Sequence, residues 1–138
     1  MIRKAITLHD YNWDIYAYFS VTTYYIDEIM ELLWRVGVDS SNAERAYKNM
    51  SSGQLNTGLC YSNYKDRCSV IVVAKTTNAS EFLNSLTHEV THACVHIAKY
   101  RGIDIESEEF AYLVGDLCEA MYNDVKHLLC EHCRCNNN

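Results

Sequence analysis

Proline is absent from the 138 residues, and glycine occurs only five times. That excludes a Pro-rich linker and argues against a disordered tail. No apolar run approaches the roughly 20 residues that a membrane span needs. The start, Met1-Ile2-Arg3-Lys4, is basic, but no apolar stretch with a small-residue cleavage site follows it. No export signal is expected, and the expected compartment is the cytosol. Positive charge is also scarce, with 12 Lys and Arg against 18 Asp and Glu. A nucleic-acid surface normally requires a basic patch, and Lys99-Tyr100-Arg101 is too short to form one. Neither a nucleic-acid nor a membrane partner is expected.

What is present suits one globular domain over residues 1–138. Hydrophobic residues make up 49% of the chain, enough for a core. Trp13, Ile15, Ala17 and Phe19 alternate with Asp14, Tyr16 and Tyr18, which predicts a strand over 13–19. Ile26, Ile29, Met30 and Leu33 recur at helical spacing, so a helix is predicted over about 21–36, stopped by Gly37. A second, more polar helix follows, with Ser41 and Glu44 at capping-box spacing and Gly53 at its close. Leu59–Tyr61 and Ser69–Lys75 read as a hairpin around "SNYKDR". Asn78 and Glu81 open a long helix ending at Gly102. A last helix is predicted over about 107–130, and residues 131–138 read as a polar, frayed tail. No internal repeat is visible.

The long helix carries "SLTHEVTHACVHIAKYRG". His88 and His92 lie four apart, one turn along one helix face, so both imidazoles can reach one ion. Glu89 sits beside the first histidine. From there it can accept a proton from a water on a metal without being a ligand. A satisfied structural pair of histidines is the competing reading, but the largely apolar helix around them favours a metal. His96 is the tempting third ligand. It lies eight residues beyond His88, a rise of about 12 Å that a straight helix cannot bridge. It reads instead as a core or supporting residue. The third ligand is expected from "IESEEFAYLVG". Glu108 shares a face with the small Ala111 and Gly115 and is favoured over Glu109, then Glu106. Tyr112, His96 and Tyr100 are candidates to hold an oxyanion. Cys130, Cys133 and Cys135 cluster with His132 in "CEHCRC". With Cys60 and Cys68 they could form a second, structural metal site or a disulfide, but reduced thiols are the default.

His88-Glu89-x-x-His92 followed by a glutamate on a later helix resembles the gluzincin class of zincin metallopeptidases. Residues 70 to 133, with "FLNSLTHEVTHACVHIAKYRGIDIESEEFAYLVGDL" and "LLCEHCR", are similar to small proteins of tailed bacteriophages and prophages of gut bacteria that are classed as peptidases. The resemblance implies a minimal α+β zincin-like fold, a short antiparallel-containing sheet packed on the metal helix and a C-terminal ligand helix. It implies one catalytic zinc, a peptide or protein substrate, Glu89 as general base, and Glu108 and Glu109 as the acid pair. It also implies that the strand Cys68–Lys75 is the sheet edge that takes an extended substrate. A zinc-holding structural or partner-binding phage protein without turnover is the alternative.

Overall fold

A computed structural model describes residues 1–22, 25–52 and 58–136. The fold is mixed α and β, a four-stranded sheet with helices on both faces. The strands are β1 (Ile2–Leu8), β2 (Trp13–Val21), β3 (Leu59–Asn63) and β4 (Cys68–Ala74). Their order is β1-β2-β4-β3, with β2 and β4 parallel and the other two pairs antiparallel.

The alternation in β2 separates two cores. Trp13, Ile15, Ala17 and Phe19 pack on one face with Ile71 and Val73. Tyr16 and Tyr18 line the other with Val70 and Val72. A bulge between Phe19 and Val21, with Ser20 at a positive φ of 59°, shifts the register. Val21 therefore joins the second core rather than the first.

Helices α1 (Ile26–Arg35) and α2 (Ser40–Ser51) cover the second face. The first ends just before Gly37, as expected, but begins later than 21. Thr23 and Tyr24, inside the predicted helix, lie outside the described residues, as does Gly53. The cap of α2 is Asp39 rather than Ser41, because the Asp39 carboxylate accepts from the Asn42 amide. The other face carries α3 (Ala79–Arg101) and α4 (Glu108–Val125), and the short α5 (Glu131–Asn136) follows α4 in the chain. Asn78 caps α3 through the Glu81 amide, and Gly102 closes it at a φ of +69°.

Three expectations are corrected. The strand β1 was not foreseen, because only Ile6 and Leu8 of its outward-lying chain are buried. The segment Cys68–Lys75 is not the sheet edge: β4 lies between β2 and β3 and all seven of its residues are buried. Its unbroken Val-Ile-Val-Val run is what a strand covered on both faces requires. The outer edge on that side is β3. Third, the predicted final helix stops at Val125, and the residues expected to fray form α5. The carboxylate of Glu131 accepts from the Ala79 amide, one of the unpaired donors at the start of α3. Arg134 donates to the carbonyls of Thr76 and Leu128, at 2.6 and 3.1 Å. Among the described residues no helix is long and apolar enough to cross a membrane.

Candidate metal centre

The period of α3 decides what its functional side chains meet. Glu89, Ala93 and Ile97 follow one another at four-residue intervals, and all three are buried against the sheet. Glu89 thus occupies a core position and is only 2% exposed. His88 and His92 point to the flank, where they line an open depression with Asn84, Thr87 and Thr91. Their Nε2 atoms lie 3.2 Å apart. Two nitrogens on one tetrahedral zinc would be about 3.3 Å apart, so the pair fits a shared ion. The nearer carboxylate oxygen of Glu89 is 4.0 Å from His88 Nε2. Its other oxygen is buried with no hydrogen-bond partner among the described residues. Burial raises the Glu89 carboxyl to about 7 from its ordinary value of 4.5. An orphaned, buried carboxylate beside two converging imidazoles fits a cation and its water.

The acid pair of α4 is not brought to these histidines. Among the described residues no group of three His, Cys, Asp or Glu side chains converges. The residues left undescribed are Thr, Tyr, Gly, Gln, Leu and Asn, so none adds a carboxylate or imidazole. The reason is helix register. Six residues join Arg101, the last of α3, to Glu108, the first of α4. His92 is nine residues before Arg101, about 14 Å back along α3, and His88 lies further still. Glu109 instead raises the Tyr11 hydroxyl together with Asp116, after the larger effect of burial. Arg101, at the far end of α3, donates to the Tyr11 carbonyl. Glu106, Glu108, Glu109 and Tyr112 are all exposed.

His96 turns to β3, not to the pair. Its Nδ1 is 2.7 Å from Ser62 Oγ, and its ring stacks beside His92 at 6.4 Å between centroids. Burial lowers its basicity, followed by the charges of His92 and Lys99. Tyr64, in the β3–β4 turn, meets the His96 ring edge-on and stacks with Tyr100. Ser62, Ser69, Trp13 and Tyr64 escaped the reading of the sequence, since no local spacing links them to the histidines.

All seven cysteines are free. Cys60 packs against the first core, near Glu89 and Cys94, whereas Cys68 lies in the second. The sheet separates them, so they cannot together complete one site with the C-terminal cluster. The Cys130 thiol is lowered by hydrogen bonds from the Cys133 amide and thiol. No protein family, curated protein or solved structure matches this chain.

Proposed function

We propose that the protein is a zinc-dependent peptidase of the gluzincin type, acting in the cytosol of the host cell if the chain is phage-encoded. One observation carries the reading: two imidazole nitrogens 3.2 Å apart beside a buried carboxylate with an unpartnered oxygen. Zinc, when bound, supplies a Lewis acid and makes a water acidic enough to attack near neutral pH. His88 and His92 would hold the ion through Nε2, whose atoms already lie 3.2 Å apart. Glu89 takes the proton of the attacking water on its carboxylate and passes it to the leaving amine. In the metal-free protein, burial raises its carboxyl to about 7. The outer strand β3 lies against α3 and offers backbone groups to an extended peptide.

The third protein ligand is the open term of this proposal. The resemblance names Glu108, then Glu109, and either would require the start of α4 to approach the histidines. Metal analysis of the wild type beside His92→Ala and Glu108→Ala tests the set. About one zinc per chain is expected, lost in His92→Ala; retention in Glu108→Ala removes that glutamate from the ligands. A wild type that takes up no zinc after reconstitution overturns the reading. Glu89→Gln is expected to keep zinc and lose peptide hydrolysis. Zinc binding without turnover in the wild type would leave a partner-binding protein instead.

A further inference from the structure

Cys130-Glu131-His132-Cys133 leads into α5 and sets two thiols three residues apart. The Arg134 amide donates to the Cys130 carbonyl at 3.0 Å, which closes a helical turn around the four residues. Residues three apart in such a turn have Cα atoms about 5 Å apart. That falls inside the span of roughly 4.4–6.8 Å that a disulfide requires, so the backbone need not move to join them. Both thiols are free and half-buried, within reach of a small molecule. Cys135 is exposed, but residues two apart on a helix do not face each other, so it is turned away from Cys133.

The turn is held from outside. The Glu131 carboxylate accepts from the Ala79 amide at the start of α3, and Arg134 donates to the carbonyls of Thr76 and Leu128. A six-residue helix has little stability of its own, so these tertiary bonds are what keep the two sulfurs side by side. The pair is also asymmetric. The Cys133 amide and thiol donate to Cys130, which lowers the Cys130 thiol, while Cys133 holds its proton more firmly. The thiolate is the form that attacks a disulfide. Cys60, Cys68, Cys94 and Cys118 are poorer candidates, since burial pushes each of their thiols up.

We infer that Cys130 and Cys133 are a redox-active dithiol that is oxidised reversibly by the disulfide of a small thiol, with Cys130 attacking and Cys133 resolving. The Cys130 thiolate attacks one sulfur of the small disulfide. A bond forms between Cys130 and that sulfur, the old S–S bond breaks, and one small thiolate leaves. Cys133 then gives its proton to solvent and attacks the Cys130 sulfur. The Cys130–Cys133 bond forms and the second small thiolate leaves. The dithiol has lost two electrons and two protons, and the small disulfide has become two thiols. The reverse exchange restores the dithiol. A transient bond of this kind suits a reducing compartment, where standing disulfides are rare. The role needs neither zinc nor the histidines of α3.

The full chain, reduced and treated with a chelator, is exposed to glutathione disulfide near neutral pH, quenched in acid, alkylated and mapped by mass spectrometry. The wild type is expected to carry a Cys130–Cys133 bond that dithiothreitol reverses. Cys133→Ser is expected to stop at a glutathione adduct on Cys130. Cys130→Ser is expected to form its adduct on Cys133 about 10-fold more slowly, because the poorer thiolate attacks. Cys135→Ser is expected to behave as the wild type. In urea the equilibrium constant for the bond against glutathione is expected to fall about 10-fold, since the turn no longer orients the sulfurs. A wild type that carries only glutathione adducts overturns the inference, and so does a bond that runs to Cys135. A constant unchanged by unfolding also overturns it, by reducing the pair to what any Cys-x-x-Cys peptide does. Equal adduct rates in the two serine variants overturn the attack by Cys130.

Discussion

Glu89 occupies a position that costs the fold stability. A buried carboxylate with one oxygen unpartnered among the described residues disfavours its own charged form. The sign of the effect follows from two values, about 7 in the folded protein and 4.5 ordinarily. Below 4.5 both states are protonated and the residue is neutral to stability. Between 4.5 and 7 the unfolded chain ionises first, so stability falls as pH rises. Above 7 the cost is fully present. Metal-free Glu89→Gln should therefore exceed the wild type in stability by about 1–2 kcal/mol at pH 8, once water reaching the site is allowed for, and by little at pH 4.5. Thermal melts of both proteins across that range check it; a gain that does not grow with pH would contradict the burial argument. The identities at this site were legible in the sequence, because residues one and four apart on a helix have fixed relative directions. That Glu89 points inward and the histidines outward also follows from the helix period, once the apolar face is known.

At the scale of elements, α3 depends on both of its ends. The Asn78 side chain accepts from the Glu81 amide, and the Glu131 carboxylate accepts from the Ala79 amide. Asn78→Ala should cost about 1 kcal/mol, the usual value of such a cap, seen as a lower denaturation midpoint with an unchanged slope. The Asn78 cap and the glycine stop at Gly102 were readable because they are local signals. Asp39 was missed because a nearby serine with a glutamate three residues on offered an equally plausible cap. The helix α5 was missed because a short polar segment has little preference of its own. It is held by Glu131 and Arg134, whose partners lie 52 and 58 residues away.

For the whole molecule, the sheet is the divider and β4 its centre. Ile71 and Val73 fill the core under α3 and α4, while Val70 and Val72 fill the one under α1 and α2. Ile71 is fully buried and packs in the core beneath α3. Ile71→Ala should lower stability by about 2–5 kcal/mol through the cavity it leaves. Denaturant unfolding measures the loss, and a cost under about 1 kcal/mol would mean the site can collapse. Gly58 belongs to this scale too, since a Cβ there would lie 1.7 Å from the Val72 carbonyl. The entry to β3 approaches β4 so closely that only glycine fits.

The sequence by itself determined the elements around the site and the two histidines and glutamate on one helix. Those rest on periodicity and end signals within a few residues, where bond geometry fixes direction. Only the tertiary structure decided that β4 is internal and β3 the edge, and that Glu108 sits at the opposite end of the helix pair from His88. It alone joined Trp13, Ser69 and Ser62 to His96 through hydrogen bonds. Each of these depends on strand order or on the sliding of one helix along another. A face can be read from spacing, but its height against a neighbour is set by how two cores pack around a shared sheet.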